Sequence, residues 1–204
     1  MPGRLFLSTP LTELARIAGV DATLEPDPPR ANIAPGEAVL TLGPEGWHRM
    51  RWGIVPVGRV NARGRPVMET IVNARSETLF AKSAFAGTGR AVIPADGWYE
   101  WTGARGRKQA WRLSRRDGAP VWIAAITDVW RAPGGAELRQ VAAVTCEPSA
   151  EVREVHHRQA VLLEPARIAT WLAGTEAEVT PLFHPLEEGT LRIEPTEDPN
   201  RAGV

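Results

Sequence analysis

Glu100 is the residue of this chain whose setting most suggests proton chemistry. It lies between two aromatic residues near the end of the segment Ile93-Pro94-Ala95-Asp96-Gly97-Trp98-Tyr99-Glu100-Trp101. A carboxyl group placed among aromatic rings is desolvated, which raises its pKa and makes it available as a general acid or base near neutral pH. The alternative interpretation is a carboxylate at the edge of a strand, in contact with water and without a chemical role.

Two adjacent histidines supply a second group that could move protons. Val155-His156-His157-Arg158 places both imidazoles at the end of a predicted helix. Adjacent histidines cannot hold one metal ion in the way that histidines at positions i and i+4 of a helix can. The choice therefore lies between a general acid or base and a histidine that caps the helix.

Two further segments carry polar residues among small or apolar ones. Asn32-Ile33-Ala34-Pro35-Gly36 sets an amide in a loop, and Val72-Asn73-Ala74-Arg75-Ser76-Glu77 brings an asparagine, an arginine and a glutamate close together. Taken alone, each segment is better explained as a turn or a surface ion pair. Cys146 is the only cysteine and follows an apolar run, so we predict a buried strand residue without a disulfide or a nucleophilic role.

The charges are segregated along the chain, although they sum to zero. The charged residues of stretches 46–68 and 102–116 are all basic, whereas residues 164–198 carry eight carboxylates against two arginines. Such segregation can build a basic face that binds nucleic acid on a neutral molecule. For any one arginine, the alternative is a solvated loop or strand edge.

Composition and motifs exclude several classes of protein. No window approaches the ~18 uninterrupted apolar residues of a membrane span, and no apolar signal segment opens the chain. We therefore expect a cytoplasmic protein that does not bind membranes. Because no phosphate loop, dinucleotide fingerprint or metal-ligand cluster appears, we expect neither a cofactor nor a metal.

The elements that must position these residues are mostly short strands. Ser8-Thr9-Pro10 and Gly19 delimit a predicted helix, and a proline-rich irregular loop is predicted at 21–36. Strands are predicted at 38–42 and 47–52 as a hairpin, at 90–93 and 98–101 as a second pair, and at 110–114, 121–129, 140–145 and 160–163. Helices are predicted at 149–155 and 165–172, followed by an acidic, turn-rich tail at 174–204. The pattern predicts one α+β domain over residues 1–204, a curled, mainly antiparallel β-sheet with a few short helices.

Taken together and in this order, the polar segments resemble the SRAP family (SOS response-associated peptidase). The segments that match are Met1-Pro2-Gly3-Arg4-Leu5, Ala31-Asn32-Ile33-Ala34-Pro35, Trp52-Gly53-Ile54-Val55-Pro56, Asn73-Ala74-Arg75-Ser76-Glu77-Thr78, Pro94 to Trp101, Thr145-Cys146-Glu147-Pro148-Ser149 and His156-His157-Arg158-Gln159-Ala160. The asparagine segment is intact, whereas the last two segments depart from the family's usual Thr-Thr-Glu-Ala-Asn and His-Asp/Glu-Arg-Met-Pro. The resemblance runs from residue 2 to about residue 172.

The resemblance implies a DNA-damage function and a set of site residues. Family members bind single-stranded DNA in a basic groove and trap the aldehyde of an abasic site through an N-terminal cysteine, which closes on it as a thiazolidine. By resemblance, the catalytic positions are Pro2, Asn73, Glu100 and His156. The positions expected to line the DNA groove are Arg4, Asn32, Trp52 and Arg75, with Thr145 close to it. The implied partner is single-stranded DNA with abasic sites, bound by a monomer.

The departure that matters is at residue 2, where Pro2 replaces the family's cysteine and a thiazolidine cannot form. In one interpretation, the protein keeps the fold and the DNA groove and acts as a binding module. In a second, Pro2 is the nucleophile once Met1 is removed, because its secondary amine can condense with the aldehyde to an iminium and open a lyase reaction. In a third, proline is a neutral substitution.

Two geometric expectations follow from the resemblance. Pro2, Asn73, Glu100 and His156 should converge on one pocket despite their separation in sequence. Arg4, Arg75 and part of the stretch 49–65 should share a groove that faces this pocket, with Trp52 available to stack on a base.

Overall fold

The computed structural model describes residues 2–56, 70–104, 107–131 and 134–200. The strands are β1 (Arg4–Leu7), β2 (Arg30–Ile33), β3 (Ala38–Gly43), β4 (Gly46–Trp52), β5 (Asn73–Arg75), β6 (Gly89–Ala95), β7 (Gly97–Thr102), β8 (Gln109–Arg115), β9 (Val121–Arg131), β10 (Glu137–Cys146), β11 (Gln159–Ala160), β12 (Leu162–Leu163) and β13 (Leu191–Thr196). The α-helices are α1 (Leu11–Ala18), α2 (Ala150–Arg153), α3 (Ile168–Ala173) and α4 (Glu176–Val179). Short 3₁₀ helices lie at Ser76–Thr78, Ser83–Phe85, Pro165–Arg167 and Thr180–Leu182.

Five strands close into a barrel. β3 pairs with β4 and β6, β6 pairs with β9, β9 pairs with β10, and β10 returns to β4. These pairings are antiparallel except that of β4 with β10, which is parallel. β5 continues along the same side of β10, because residues 73–75 run parallel to residues 143–145. Asn73 and Arg75 are thus held on the barrel.

A second, antiparallel sheet has the strand order β13-β8-β7-β1-β2. Its apolar residues Leu5, Trp98 and Leu113 share one buried cluster with the barrel residues Ile93 and Ile123. A second buried cluster joins the barrel strands to helices α1 and α3. The predicted class is confirmed: an α+β protein with a curled, mainly antiparallel sheet and a few short helices.

Helix α1 forms where the sequence predicts it. Pro10 precedes the first helical residue in extended conformation, and Gly19 ends the helix with a φ of 67°, the left-handed conformation that glycine adopts without strain. Leu11 and Leu14 are buried on one face, as spacing of three to four residues requires. The predicted hairpin is also confirmed by β3 and β4.

The predicted pairing of the strands at 90–93 and 98–101 is wrong. β6 and β7 both form, but β6 pairs with β3 and β9 in the barrel, whereas β7 pairs with β1 and β8 in the second sheet. Gly97 lies where the chain crosses between the sheets, and a Cβ there would be 2.0 Å from the carbonyl oxygen of Leu113. Only glycine allows this close approach.

Three smaller differences concern the ends of the sheets. The predicted loop at 21–36 contains strand β2, which pairs with β1, and the predicted strand at 160–163 is divided into β11 and β12. The tail contains β13, which pairs with β8 over six residues. Within the described ranges, no helix is long and apolar enough to cross a membrane.

Candidate active site

The second sheet brings the N-terminal residues towards Glu100. In the antiparallel pairing of β1 with β7, Arg4 lies opposite Tyr99 and Leu5 opposite Trp98. Residues that precede Arg4 therefore run towards those that follow Tyr99, and the same register, continued by one residue, places Gly3 opposite Glu100 with Pro2 beside it along the chain. Pro2 is buried. The register of two strands thus joins segments that lie about a hundred residues apart in sequence.

Asp96 fixes the other end of β1. Its carboxylate accepts hydrogen bonds from the backbone N–H groups of Ser8 and Thr9 at 2.6 and 3.1 Å, and from the Thr9 hydroxyl at 2.5 Å. Its own N–H donates to the carbonyl of Phe6 at 2.9 Å. The sequence singled out the segment that contains Asp96 without giving this residue a role, and the structure shows that it holds β1 in register.

Asn73 contacts the N-terminal residues from the barrel side. Its Nδ2 donates to the carbonyl oxygen of Pro2 at 3.3 Å. Its Oδ1 is buried and, within the described part of the chain, accepts no hydrogen bond. A buried acceptor without a donor costs about 1–3 kcal/mol, so this oxygen is suited to a donor from a bound ligand.

Glu100 is buried with a strongly shifted pKa. Glu100 is only 3% exposed, and this burial raises its pKa from 4.5 to about 7. The positive charge of the amino terminus acts in the opposite direction and lowers the pKa. The expected desolvation of this carboxyl group is confirmed. At neutral pH, Glu100 is therefore divided between its protonated and ionised forms, which suits a general acid or base.

His156, like Glu100, lies close enough to the amino terminus for that charge to affect its pKa. Burial, together with the charge of the amino terminus, lowers the pKa of His156 from 6.5 to about 4, so the ring is neutral at pH 7. The backbone N–H of Arg158 lies 3.0 Å from His156 Nδ1, a contact that favours the tautomer with its proton on Nε2. The Arg158 carbonyl also lies 3.0 Å from Nδ1 and would favour the other tautomer.

Arg158 is the structural residue of the site to which the sequence assigned no role. It is 5% exposed, and its guanidinium binds Glu77, Glu147 and the carbonyl oxygen of Thr145, the last at 2.7 Å. Thr145 in turn donates to the carbonyl of Ala74 at 3.3 Å, next to Asn73. Arg158 thereby ties residues 156–158, which we call the histidine loop, to β10 and β5. Its place directly after His156-His157 was the signal available in the sequence.

The order of the two pKa values determines which group carries a proton at neutral pH. An isolated histidine is more basic than an isolated glutamate, but here Glu100 has a pKa of about 7 and His156 one of about 4. Environments that push two titratable groups in opposite directions are typical of acid–base sites. Glu100 is consequently the stronger base of the pair.

Comparison with known proteins decides the family. A family model described as SOS response associated peptidase (SRAP) matches residues 1–198. The chain belongs to the SRAP family. The resemblance found in the sequence is confirmed, and the match continues beyond residue 172 into the acidic tail.

Individual relatives agree with this assignment to SRAP. The abasic site processing protein YoqW of Bacillus subtilis is 27% identical over 182 residues, which are 84% of this chain and 80% of YoqW. The abasic site processing protein YedK of Escherichia coli is 32% identical over 171 residues, 77% of this chain and 72% of YedK. The crystal structure of a phage-related protein from Bordetella bronchiseptica has a TM-score of 0.73 at 28% identity, and the match covers 96% of this chain and 94% of that protein.

Three of the five positions expected to bind DNA reach the surface of this SRAP chain. Arg75 is exposed, and Arg4 and Asn32 are partly exposed. Arg4 Nη1 donates to Asn32 Oδ1 at 3.2 Å, which places these two side chains side by side on β1 and β2. Arg75 lies on β5, two residues after Asn73.

Trp52 and Thr145 cannot touch DNA in this structure, and the expected stacking of Trp52 on a base is wrong. Both residues are 0% exposed. The indole Nε1 of Trp52 donates to the carbonyl of Val72 at 3.2 Å, next to Asn73, and its ring belongs to the core. Thr145 bonds to the backbone at Ala74. These two residues support the segment that carries Asn73 and Arg75, and they act from beneath the surface.

The basic stretch at 102–116 is partly neutralised where the structure describes it. Arg112 lies 4.4 Å over the ring of Phe6 and forms an ion pair with Glu194 at 3.4 Å. Arg115 forms ion pairs with Asp117 at 2.8 Å and with Glu164 at 3.0 Å. The acidic stretch at 164–198 supplies two of these partners, so charges that are segregated in sequence meet in the fold.

The basic stretch at 46–68 is only partly described. Arg49 pairs with Asp27 at 3.0 Å, and Arg51 Nη1 donates to the carbonyl of Gly53 at 2.6 Å. Both arginines thus bind neighbouring parts of the chain. The three remaining arginines of this stretch, which the sequence offered as groove residues, lie outside the described residues: Arg59, Arg63 and Arg65.

Cys146 is a buried strand residue, as predicted. It ends β10 and is 2% exposed. Burial raises the pKa of its thiol to about 12, so the nucleophilic thiolate is scarce at neutral pH. Cys146 therefore does not replace the thiol that residue 2 lacks.

Proposed function

We propose that this SRAP chain binds single-stranded DNA and recognises abasic sites in it, without the thiazolidine crosslink that a cysteine at residue 2 would form. The relatives YoqW and YedK are named abasic site processing proteins, which supports an abasic site as the ligand. The observation that carries the proposal is Glu100, a buried carboxyl group with a pKa of about 7 on the strand beside the N-terminal residues.

The cluster offers the polar groups that a ring-opened sugar requires. Such a sugar presents an aldehyde and free hydroxyl groups where an intact nucleotide presents a base. Protonated Glu100 can donate a hydrogen bond to the carbonyl oxygen, and the buried Oδ1 of Asn73 can accept one from a hydroxyl. An intact base carries no aldehyde and is larger, so the cluster favours the abasic nucleotide.

The exposed arginines account for binding to the DNA backbone. Arg75 lies on β5, the strand that also carries Asn73. Arg4 lies on β1, which pairs with β7, the strand of Glu100. Phosphates on either side of the abasic sugar are therefore within the span of the site. Phosphate contacts release counterions, and affinity should therefore fall as salt increases from about 50 to 200 mM.

The test is a fluorescence anisotropy titration of one labelled oligonucleotide, single-stranded and as a duplex. The proposal expects tighter binding of the single strand and a loss of about 1–3 kcal/mol for Arg75→Ala, the value of a charge-assisted contact. Arg131→Ala is the matched control, because Arg131 is exposed but lies at the β9–β10 turn, away from the site. It is six residues along β9 from Ala125, which pairs with Ala143, the β10 residue beside Asn73. Equal affinity for both DNA forms, or equal losses in both variants, would contradict the proposal.

A second candidate function is an abasic-site lyase that uses Pro2. The observation that favours it is the same carboxyl group, since a base with a pKa near 7 beside a secondary amine is suited to iminium chemistry. The reaction requires removal of Met1, because the nitrogen of Pro2 is otherwise an amide whose lone pair is delocalised.

The lyase reaction balances without a cofactor. The Pro2 nitrogen attacks the aldehyde carbon, and loss of water leaves an iminium. The cation acidifies the neighbouring sugar carbon, Glu100 accepts the proton released there, and the electron pair expels the 3′ phosphate. Water then hydrolyses the iminium and restores the amine.

Borohydride distinguishes the lyase from the binding module. If Pro2 is the nucleophile, reduction should trap an adduct on residue 2, visible by intact mass spectrometry, and a chain with an N-terminal extension should form none. Pro2→Cys should form an adduct that persists without reductant, because a thiazolidine resists the hydrolysis that reverses an iminium. No trapping by the Met-free protein, alongside intact binding, would exclude the lyase.

A further inference from the structure

Residues 197–200 lie against the surface that we assign to DNA. They follow β13, which the pairing with β8 anchors over six residues. The indole Nε1 of Trp101 donates to Asp198 Oδ1 at 3.2 Å, and Asn32 Nδ2 donates to the carbonyl oxygen of Pro199 at 2.9 Å. We call residues 197–200 the covering segment. It thus bridges β7, the strand of Glu100, and β2, the strand of Asn32.

The covering segment has an ordered local conformation of its own. Asp198 Oδ1 also accepts hydrogen bonds from the backbone N–H and the Nδ2 of Asn200, at 3.1 and 2.8 Å. Such an aspartate turn, with a proline in it, restricts the backbone before any contact with the rest of the protein is made. The contacts with Trp101 and Asn32 therefore order few additional degrees of freedom.

The covering segment occupies donors that DNA would use. Asn32 has its oxygen bound by Arg4 and its Nδ2 bound by Pro199, so both ends of the amide are engaged. Asp198 presents a carboxylate to the Trp101 N–H, and a carboxylate is the protein group closest in charge and acceptor geometry to a phosphate. The segment also adds Glu197, a second negative charge, on this side of the site.

We propose that the covering segment is autoinhibitory: it occupies part of the DNA surface and must leave Trp101 and Asn32 before a single strand can bind there. This inference rests on the proposed function. A protein that binds DNA only in its uncovered state shows an apparent affinity reduced by the fraction of uncovered molecules. Removing the covering segment should therefore strengthen binding.

The test compares three variants with the parent chain in the same anisotropy titration. A chain ended after Thr196 should bind single-stranded DNA more tightly by about 3- to 30-fold. Asp198→Ala, which keeps the chain length, should give part of this gain. Glu188→Ala is the matched control, because it removes one exposed carboxylate just before β13 and changes the net charge equally.

The outcomes separate this inference from the function on which it rests. Tighter binding by the shortened chain and by Asp198→Ala, but not by Glu188→Ala, supports autoinhibition. Equal affinity of all four proteins, or equal gains in Asp198→Ala and Glu188→Ala, overturns it and leaves DNA binding intact. Weaker binding after shortening also overturns it, because the segment would then be part of the DNA site. If none of the four proteins binds single-stranded DNA, the proposed function itself fails.

Discussion

The site around Glu100 and the arginine-rich strand β8 use charge in opposite ways. Around Glu100 the titratable groups are few: Glu100 is buried and His156 is half-buried, and burial raises the pKa of Glu100 and lowers that of His156. β8 carries two charges, and both Arg112 and Arg115 are bound by carboxylates from other parts of the chain. The number of charged residues in a segment therefore says little about its chemistry. What matters is whether the fold provides each charge with a partner or withdraws it from water.

The largest effect is expected when the buried carboxyl group of Glu100 is replaced and the rate of DNA cleavage is measured. If the lyase operates, Glu100→Gln should slow cleavage of an abasic single strand by about 10²–10⁴-fold, because the amide cannot accept the proton. Glu188→Gln, a change of an exposed carboxylate, should leave the rate unchanged. Single-turnover cleavage on denaturing gels gives both rates. Equal slowing of the two variants would remove the distinction between buried and exposed carboxylates.

A second prediction compares ion pairs from the two environments. Arg158→Ala should lower the free energy of unfolding by about 1–3 kcal/mol, because it leaves the buried Thr145 carbonyl without the charged donor that ties it to the loop of His156. Arg131→Ala breaks a pair with Glu137 whose side chains are 69% and 51% exposed, and should cost less than about 1 kcal/mol. Urea unfolding measures both. Similar losses in the two variants would contradict the view that Arg158 organises the site.

A third prediction concerns the pH dependence of stability. Between a pKa of 4.5 in the unfolded chain and about 7 in the folded one, folded Glu100 holds a proton that the unfolded chain has released. Its contribution is therefore fully present below pH 4.5 and is lost as the pH rises through 7. We expect Glu100→Gln to be more stable than the parent by up to about 3 kcal/mol near pH 8, with no difference near pH 4.

His156 provides a check on the sign of that prediction. Its pKa is lowered, so the unfolded chain holds the proton between about pH 4 and 6.5, and stability rises with pH in that window. The contributions of His156 and Glu100 oppose each other in the parent protein. Urea unfolding across this range should show a steeper rise in Glu100→Gln than in the parent. A difference between the two proteins that does not change with pH would contradict the burial of an ionisable Glu100.

The same contrast explains which features could be predicted from sequence. From the residues alone, only the desolvation of Glu100 between aromatic neighbours could be predicted, because desolvation depends on near neighbours; Asn73 and His156 were expected at the site from the resemblance to SRAP. Trp52 shows the limit: its segment indicates a functional position, but only the packing of the barrel shows that the ring is inside. The crossing at Gly97 was missed for a similar reason, since strands predicted at 90–93 and 98–101 look like a hairpin until their other partners are known.

The tail shows a further limit of prediction from sequence. An acidic, proline-containing stretch is typical of a solvated loop, yet β13 pairs with β8 along its whole length. Its alternation of polar and apolar residues is weak, and the strand forms because β8 offers it a sheet edge. The partner of Arg112, Glu194, could not be assigned before the position of this tail was known.

Recognition of the abasic site itself is tested most directly by one competition experiment. A labelled single strand bound to the protein is displaced by two unlabelled competitors of identical sequence, one intact and one with a single central abasic site. We expect the abasic strand to compete better by about tenfold, the equivalent of one additional net hydrogen bond, through Glu100 and Asn73. Equal competition by the two strands would contradict it, because the buried cluster would then contribute nothing to the choice of ligand.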